Sequence, residues 1–123
     1  MATVGDVMTT EILTVPSTAT LGEVARRLRA RNVGSAVVVD DAEQPLGIIT
    51  DRELVDSVAA SRNPDQGQAG SWMRPEMWSV DRGSSLEEAS ALMRDANVRH
   101  LPVTADGRVV GIVSIRDLLV GKL

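Results

Sequence analysis

The sequence contains no cysteine, tyrosine or phenylalanine, and its only aromatic residues are Trp72 and Trp78. Without cysteine the chain cannot form disulfides, use a thiol nucleophile or bind a metal through thiolates. Two tryptophans do not supply the set of exposed rings on which single-stranded bases stack. The composition therefore excludes thiol chemistry and disfavours RNA binding by stacking.

Long apolar runs and blocks of like charge are also missing. No run approaches the roughly 18 apolar residues of a membrane span, and the first residues lack the basic and then apolar regions of a signal peptide. The net charge is −4, with acidic and basic residues interspersed, which does not favour binding to nucleic acid. We therefore expect a cytoplasmic protein that binds neither membranes nor nucleic acid.

The inventory of catalytic side chains is small. His100 is the only histidine, and no paired nucleophile and base can be identified. No His-x-x-x-His pair or cluster of carboxylates has the spacing of metal ligands. We therefore expect no catalytic residues and no metal site, although 43% hydrophobic and 24% charged residues predict a well-folded globule.

What the sequence does contain is an internal repeat, the feature that organises the chain. Gly5-Asp6-Val7-Met8 recurs as Gly70-Ser71-Trp72-Met73, and Gly47-Ile48-Ile49-Thr50 recurs as Gly111-Ile112-Val113-Ser114. The offset is 65 positions early in the chain and 64 after a single gap. Two small repeats of similar structure are therefore expected.

The segment between the repeats is rich in Ser, Asn, Pro, Gly and Gln, which is typical of a linker. We assign residues 1–59 to the first repeat, 60–70 to the linker and 71–123 to the second repeat. Together they are predicted to form one module.

Each repeat shows the same order of predicted elements. An extended run, Ile12–Val15 or Met77–Val80, precedes a helix that begins at a capping-box sequence, Thr20-Leu21-Gly22-Glu23 or Ser85-Leu86-Glu87-Glu88. A hairpin and a second helix follow, so the unit is strand, helix, strand, strand, helix. Apolar residues recur at helical spacing along the first helix of each copy, and the apolar stripe that they form is expected to be buried. The stripe comprises Leu21, Val24, Ala25 and Leu28 in one copy and Leu86, Ala89, Met93 and Ala96 in the other.

This repeated order resembles the pair of cystathionine-β-synthase (CBS) domains known as a Bateman module. The most specific pieces are Gly111-Ile112-Val113-Ser114-Ile115-Arg116-Asp117 and the preceding Val98–Val103, which lie in register within the repeat. The resemblance implies an α/β (α+β) fold with two repeats packed in pseudo-two-fold symmetry. It further implies an adenosyl ligand in the cleft between the repeats and a homodimer.

Ser114 and Asp117 are the strongest candidates for a ligand site. They are predicted to cap the last helix, and the resemblance implies that they also contact a ribose or a nearby phosphate. Thr50 and Glu53 occupy the matching positions of the first repeat, where the acid is one methylene longer. That difference weakens the first site, because Thr-x-x-Glu is itself a complete capping box.

Basic residues near the second hairpin are the candidates for phosphate contacts. Arg99 and His100 match positions that bind phosphate in nucleotide-binding relatives, with a surface arginine and a packed histidine as the alternative, and Arg116 is a further candidate. Their counterparts in the first repeat, Gly34 and Ser35, carry no charge. Two phosphate sites of equal strength are therefore not expected.

The ends of the first strands are the candidates for contacts with adenine. The resemblance implies that Thr14-Val15 and Ser79-Val80 sandwich the base, and the alternative is that they pack only at strand ends. Trp78 either stacks on a base or belongs to a core or dimer interface.

The resemblance implies a non-catalytic regulatory module that binds AMP, ADP or ATP, with NAD and S-adenosylmethionine as further possibilities. No cofactor is required, and an adenine nucleotide would be a regulatory ligand. The alternative is a ligand-free dimerisation or protein-interaction module. In either case the regulated effector would be a separate, unidentified protein.

Overall fold

A computed structural model describes residues 2–75 and 78–121, so the predicted strand residue Met77 lies outside the described part. The described chain forms two compact units. One contains residues 13–75, and the other combines residues 2–12 with residues 78–121. The assignment of 1–59, 60–70 and 71–123 remains a prediction about the sequence repeat, which the compact units divide differently.

Both units contain the predicted order of elements. The unit of residues 13–75 consists of β1 (Thr14–Pro16), α2 (Leu21–Arg31), β2 (Ser35–Val39), β3 (Pro45–Thr50), α3 (Asp51–Ala59) and α4 (Ala69–Trp72). The other consists of α1 (Val4–Val7), β4 (Val80–Asp81), α5 (Leu86–Ala96), β5 (His100–Ala105), β6 (Arg108–Ser114) and α6 (Ile115–Gly121). Within the described residues, no helix is long and apolar enough to cross a membrane.

Each unit contains one three-stranded sheet, in the order β1-β2-β3 or β4-β5-β6. The first two strands are parallel and the last two form an antiparallel hairpin, as predicted. Asp106 and Gly107 both have positive φ, 53° and 78°, as expected for a tight turn joining β5 to β6. The mixed α/β fold predicted from the repeat is thus confirmed.

The long helices α2 and α5 begin and end in the same way. The Thr20 hydroxyl accepts a hydrogen bond from Glu23 N at 3.1 Å, and the Ser85 hydroxyl accepts one from Glu88 N at 3.0 Å. Asn32 and Asn97 end the helices in the left-handed conformation, which asparagine tolerates better than most residues. The hydroxyl half of each predicted capping box is therefore present.

The apolar stripes of α2 and α5 form much of the two cores, with two exceptions. Ala25 is exposed and Ala96 is only half-buried, so the prediction that the whole stripe is buried was wrong at these positions. Ala25 lies about 40° around the helix from Leu21, on the far side of Leu21 from Val24 and Leu28, at the margin of the stripe. The buried members are Leu21, Val24 and Leu28 in α2 and Leu86, Ala89 and Met93 in α5.

The short helices α1 and α4 and the residues after them are exchanged between the repeats. Thr9, which follows α1, pairs with Ile112 of the second repeat through hydrogen bonds of 2.8 and 2.9 Å. Arg74, which follows α4, pairs with Ile48 of the first repeat through bonds of 2.8 and 3.0 Å. Each copy of the Gly-x-x-Met segment therefore completes the unit built from the other repeat.

This exchange explains the glycine before each Ile in the repeated motif. A Cβ on Gly47 would lie 2.5 Å from the Arg74 carbonyl oxygen, and one on Gly111 would lie 2.8 Å from the Thr9 carbonyl oxygen. Both separations are far shorter than ordinary van der Waals contact. Glycine is required at these positions because the exchanged segment passes directly over the strand.

Candidate functional site

The second repeat brings four of the predicted ligand residues to one end of its sheet. His100 begins β5 and pairs with Ser114, which ends β6. Arg99 precedes His100, and its carbonyl accepts a hydrogen bond of 2.9 Å from Ile115 N at the start of α6. Since Asp117 lies in the first turn of α6, the strand start and the helix start meet here.

Ser114 and Asp117 form the predicted reciprocal cap. The backbone N–H of Ser114 donates to Asp117 Oδ2 at 2.8 Å, and the backbone N–H of Asp117 donates to Ser114 Oγ at 3.1 Å. Both residues are half-buried. An ionised carboxylate offers about four acceptor positions, so this cap leaves much of the acceptor capacity of Asp117 unused.

The charged residues beside this cap differ in their access to solvent. Arg99 and Arg116 are exposed, whereas His100 is half-buried. An exposed guanidinium is free of the desolvation cost of a buried charge and offers a planar fork of donors. The second repeat thus combines a partly accessible carboxylate with nearby positive charge.

The first repeat has the same geometry with different side chains. Ser35 pairs with Thr50, and Asp51 N donates to the Gly34 carbonyl at 3.1 Å. The backbone N–H and the hydroxyl of Thr50 both donate to Glu53 Oε1, each at 2.8 Å. The predicted Thr-x-x-Glu capping box is therefore complete.

The first cap is more deeply buried than the second. Glu53 is only 5% exposed, Ser35 6% and Ser57 4%. Ser57 was not identified from the sequence, and its hydroxyl donates to the Leu54 carbonyl at 2.7 Å. The spacing could have indicated its position, because a residue four after Glu53 lies one helical turn further along the same face of α3.

The predicted adenine contacts lie at the first strand of each sheet. Val15 and Val80 belong to the hydrophobic cores, with exposed fractions of 0% and 8%. Thr14 and Ser79, next to them, are exposed. The roles of these four residues as ligand contacts stay predictions. Because the side chains of Val15 and Val80 are buried, only the backbone groups of these two residues are left for a ligand. Trp78 is 50% exposed, so it is not a core residue.

Two other features of the described chain concern metal binding and surface grooves. Residues 2–75 and 78–121 contain no group of three or more His, Asp or Glu side chains arranged to hold a metal ion. A polar surface groove of about 610 Å³ includes no predicted ligand residue. The groove is lined by Ser61, Arg62, Asn63, Gln66, Gly67, Gln68, Ser71 and Trp72.

Comparison with known proteins identifies the repeat. The family model described as the CBS domain matches residues 4–60 and 69–121. A protein of Methanopyrus kandleri is 36% identical over 118 residues, which cover 94% of this chain and 60% of that protein. The chain therefore spans less than two thirds of that relative's length.

Two solved structures extend the comparison to the fold. A CBS-domain-containing protein of Agrobacterium tumefaciens matches with a TM-score of 0.93 and 31% identity, over 100% of this chain and 96% of that one. A CBS domain protein of Pyrobaculum aerophilum, solved in complex with AMP, matches with a TM-score of 0.84 and 29% identity, over 94% and 88% of the two chains. The present chain belongs to the CBS-domain family and carries two copies of that domain.

Proposed function

We propose that this CBS pair is a regulatory module that binds an adenosyl ligand at the second-repeat position formed by Arg99, His100, Ser114 and Asp117. The observation that carries the proposal is the meeting of these four residues at one end of one sheet. The AMP complex of the Pyrobaculum relative supports an adenine nucleotide as the ligand.

The chemistry of the four residues suits the two ends of a nucleotide. A carboxylate accepts hydrogen bonds from both hydroxyls of a ribose, and Asp117 uses Oδ2 for the Ser114 amide within its own cap. The exposed Arg99 offers paired donors for a phosphate. His100 would add positive charge only when it is protonated. Arg116 is a further donor at the start of α6.

At the second-repeat position the adenine would lie beside β4, near Ser79 and the backbone of Val80, and Thr14 and the backbone of Val15 hold the equivalent place beside β1 in the other unit. Thr50 and Glu53 mark the equivalent position of the first repeat. No cofactor and no catalytic step is part of the proposal, because the chain has one histidine and neither cysteine nor tyrosine. A cytoplasmic location and a separate effector protein remain predictions.

A thermal-shift titration tests the proposal. Purified protein would be melted with AMP, ADP, ATP, NAD and S-adenosylmethionine, since a ligand that binds only the folded state raises the melting temperature. We expect saturable stabilisation by at least one compound, lost in Asp117→Ala. The matched control is Asp95→Ala, because Asp95 is an exposed carboxylate of the same unit that forms an ion pair with Arg94 at 3.5 Å.

Two results would contradict ligand binding at this position. One is the absence of any shift with all five compounds at millimolar concentration. The other is an equal shift in wild type and Asp117→Ala. The variant's own loss of stability, about 0.5–2 kcal/mol for a lost cap, is subtracted by comparing each protein with and without ligand.

A second candidate function is assembly into a homodimer. It is favoured by exposed apolar side chains on α3 and α6, the closing helices, each of which follows the hairpin of its repeat. Val55 and Val58 of α3 are 66% and 72% exposed, and Leu119 and Val120 of α6 are each 62% exposed. Large apolar side chains left in water close together on a helix are typical of an interface.

Light scattering after size exclusion tests this second function. We expect a dimer mass for wild type and a monomer mass for Val58→Asp or Leu119→Asp, because a charge in an apolar interface is costly. The control is Val109→Asp, on a half-buried strand position outside the two closing helices. A monomeric wild type would contradict the assembly function and leave ligand binding unaffected.

A further inference from the structure

We propose that Glu53 closes the ligand position of the first repeat with its own carboxylate, so that each chain binds one adenosyl ligand rather than two. The inference rests on the proposed function, because it assumes that Asp117 marks a ligand position. It goes further in assigning Glu53 as the residue that sets the number of ligands.

Glu53 is held inside its own repeat by two hydrogen bonds to a single oxygen. The backbone N–H and the hydroxyl of Thr50 each donate to Oε1 at 2.8 Å. The Thr50 hydroxyl in turn accepts from Arg52 N at 3.2 Å, which orients it toward the carboxylate. With 5% of its surface exposed, Glu53 offers almost no area to a ligand.

Asp117 occupies the equivalent position with a shorter side chain and fewer internal bonds. Its Oδ2 accepts from the Ser114 backbone, and the Ser114 hydroxyl accepts from the Asp117 backbone. Between these two described residues, no hydrogen bond runs from the hydroxyl to the carboxylate, in contrast to Thr50 and Glu53. Asp117 is also half-buried rather than buried. The side chain of Glu53 is one methylene longer than that of Asp117. This difference therefore distinguishes a position filled by its own carboxylate from one that stays accessible.

The neighbours of Glu53 strengthen this closure. Ser35, which pairs with Thr50, and Ser57, one helical turn after Glu53, are only 6% and 4% exposed, so little of this region is open to solvent. At the corresponding places the second repeat has His100, which is half-buried, and Gly121, which has no side chain. Neither Ser35 nor Ser57 carries a positive charge that would offset the cost of burying a ligand phosphate beside it.

Isothermal titration with AMP as the probe tests the number of sites. Wild type is expected to bind one AMP per chain, and Asp117→Ala is expected to bind none. Glu53→Asp should open the first position and raise the stoichiometry from one to two. Glu53→Gln is the matched control, because it keeps the length of the side chain and should still bind one AMP.

The double variant Glu53→Asp, Asp117→Ala locates the new site, since it should bind one AMP where Asp117→Ala binds none. Two sites in wild type, or one site that survives in Asp117→Ala, would overturn the inference without any Glu53 variant. A folded Glu53→Asp protein that binds no more AMP than wild type would also overturn it.

These outcomes separate the inference from the proposed function. Failure of wild type to bind AMP, with one site gained in Glu53→Asp, would contradict the proposed function at Asp117 and support the role of Glu53. One site in wild type that is lost in Asp117→Ala, with no gain in Glu53→Asp, would do the reverse. Circular dichroism melts of each variant report whether the protein is folded at the titration temperature.

Discussion

The two repeats build the same helix cap from different acids, and the difference changes what the cap is available to do. In the first repeat Glu53 accepts two hydrogen bonds from Thr50 and is buried. In the second repeat Asp117 accepts one from Ser114 and stays partly accessible. A carboxylate used fully by its own fold stabilises the helix, whereas one used partly retains acceptor capacity for a ligand.

Apart from these acids, the two units share their architecture. Matched positions in the two repeats can therefore be compared directly. Strand order, hairpin pairing, the termini of the long helices and the glycines at 47 and 111 match from one repeat to the other. Differences in stability or binding between matched variants can therefore be attributed to the side chains that differ. Three matched pairs of variants, and one charge pair present in the first repeat alone, test how far this equivalence extends.

The largest effect is expected in the two cores. Leu28→Ala and Met93→Ala remove matching buried side chains, exposed by 5% and 2%, and each should lower the free energy of unfolding by about 2–5 kcal/mol. Urea unfolding measures both, with Arg29→Ala as an exposed control on α2. A loss in only one repeat would contradict the equivalence of the cores.

The next effect is expected at the two glycines under the exchanged segments. Gly47→Ala and Gly111→Ala force a Cβ against carbonyl oxygens and should each cost about 1–3 kcal/mol. Gly107→Ala is the control, because nothing lies within 4 Å of its Cβ position and only its φ of 78° is unfavourable. A cost of about 1 kcal/mol is expected there. Equal costs at all three glycines would argue against steric contact as the cause.

The cap acids should differ in their contribution to stability. Glu53→Ala leaves two half-buried donors of Thr50 without their acceptor and should cost about 1–3 kcal/mol. Asp117→Ala leaves one half-buried backbone donor and should cost about 0.5–2 kcal/mol. Thermal and urea unfolding of the pair report the difference. A greater loss for Asp117→Ala would contradict the division between a structural cap and an accessible one.

The smallest effect is expected for a charge pair that only the first repeat has. Glu23 and Arg27 lie 3.9 Å apart on α2, with side chains 42% and 44% exposed, and their counterparts in α5 are Glu88 and Leu92. Arg27→Ala should cost less than about 0.5 kcal/mol because solvent screens the pair. A double-mutant cycle with Glu23→Ala measures the coupling, and a coupling above about 1 kcal/mol would contradict this estimate.

Local features of the fold were predictable because their causes are local. The capping hydroxyls of Thr20 and Ser85 and the Asp106-Gly107 turn depend on neighbours within a few residues. The strand positions were less accurate, since β1 begins at Thr14 rather than at Ile12. Strand ends depend on the partner strand, and the register of that partner is not written in the local pattern.

The sequence by itself determined the repeat, the hairpins and the identity of the residues at the helix caps, because these follow from spacing and short-range hydrogen bonding. Tertiary structure alone decided that the α1 and α4 segments exchange between repeats and that Glu53 is buried while Asp117 is not. Burial depends on which distant segments pack over a side chain. The length of each cap acid could be read from the sequence, whereas its burial came from long-range packing.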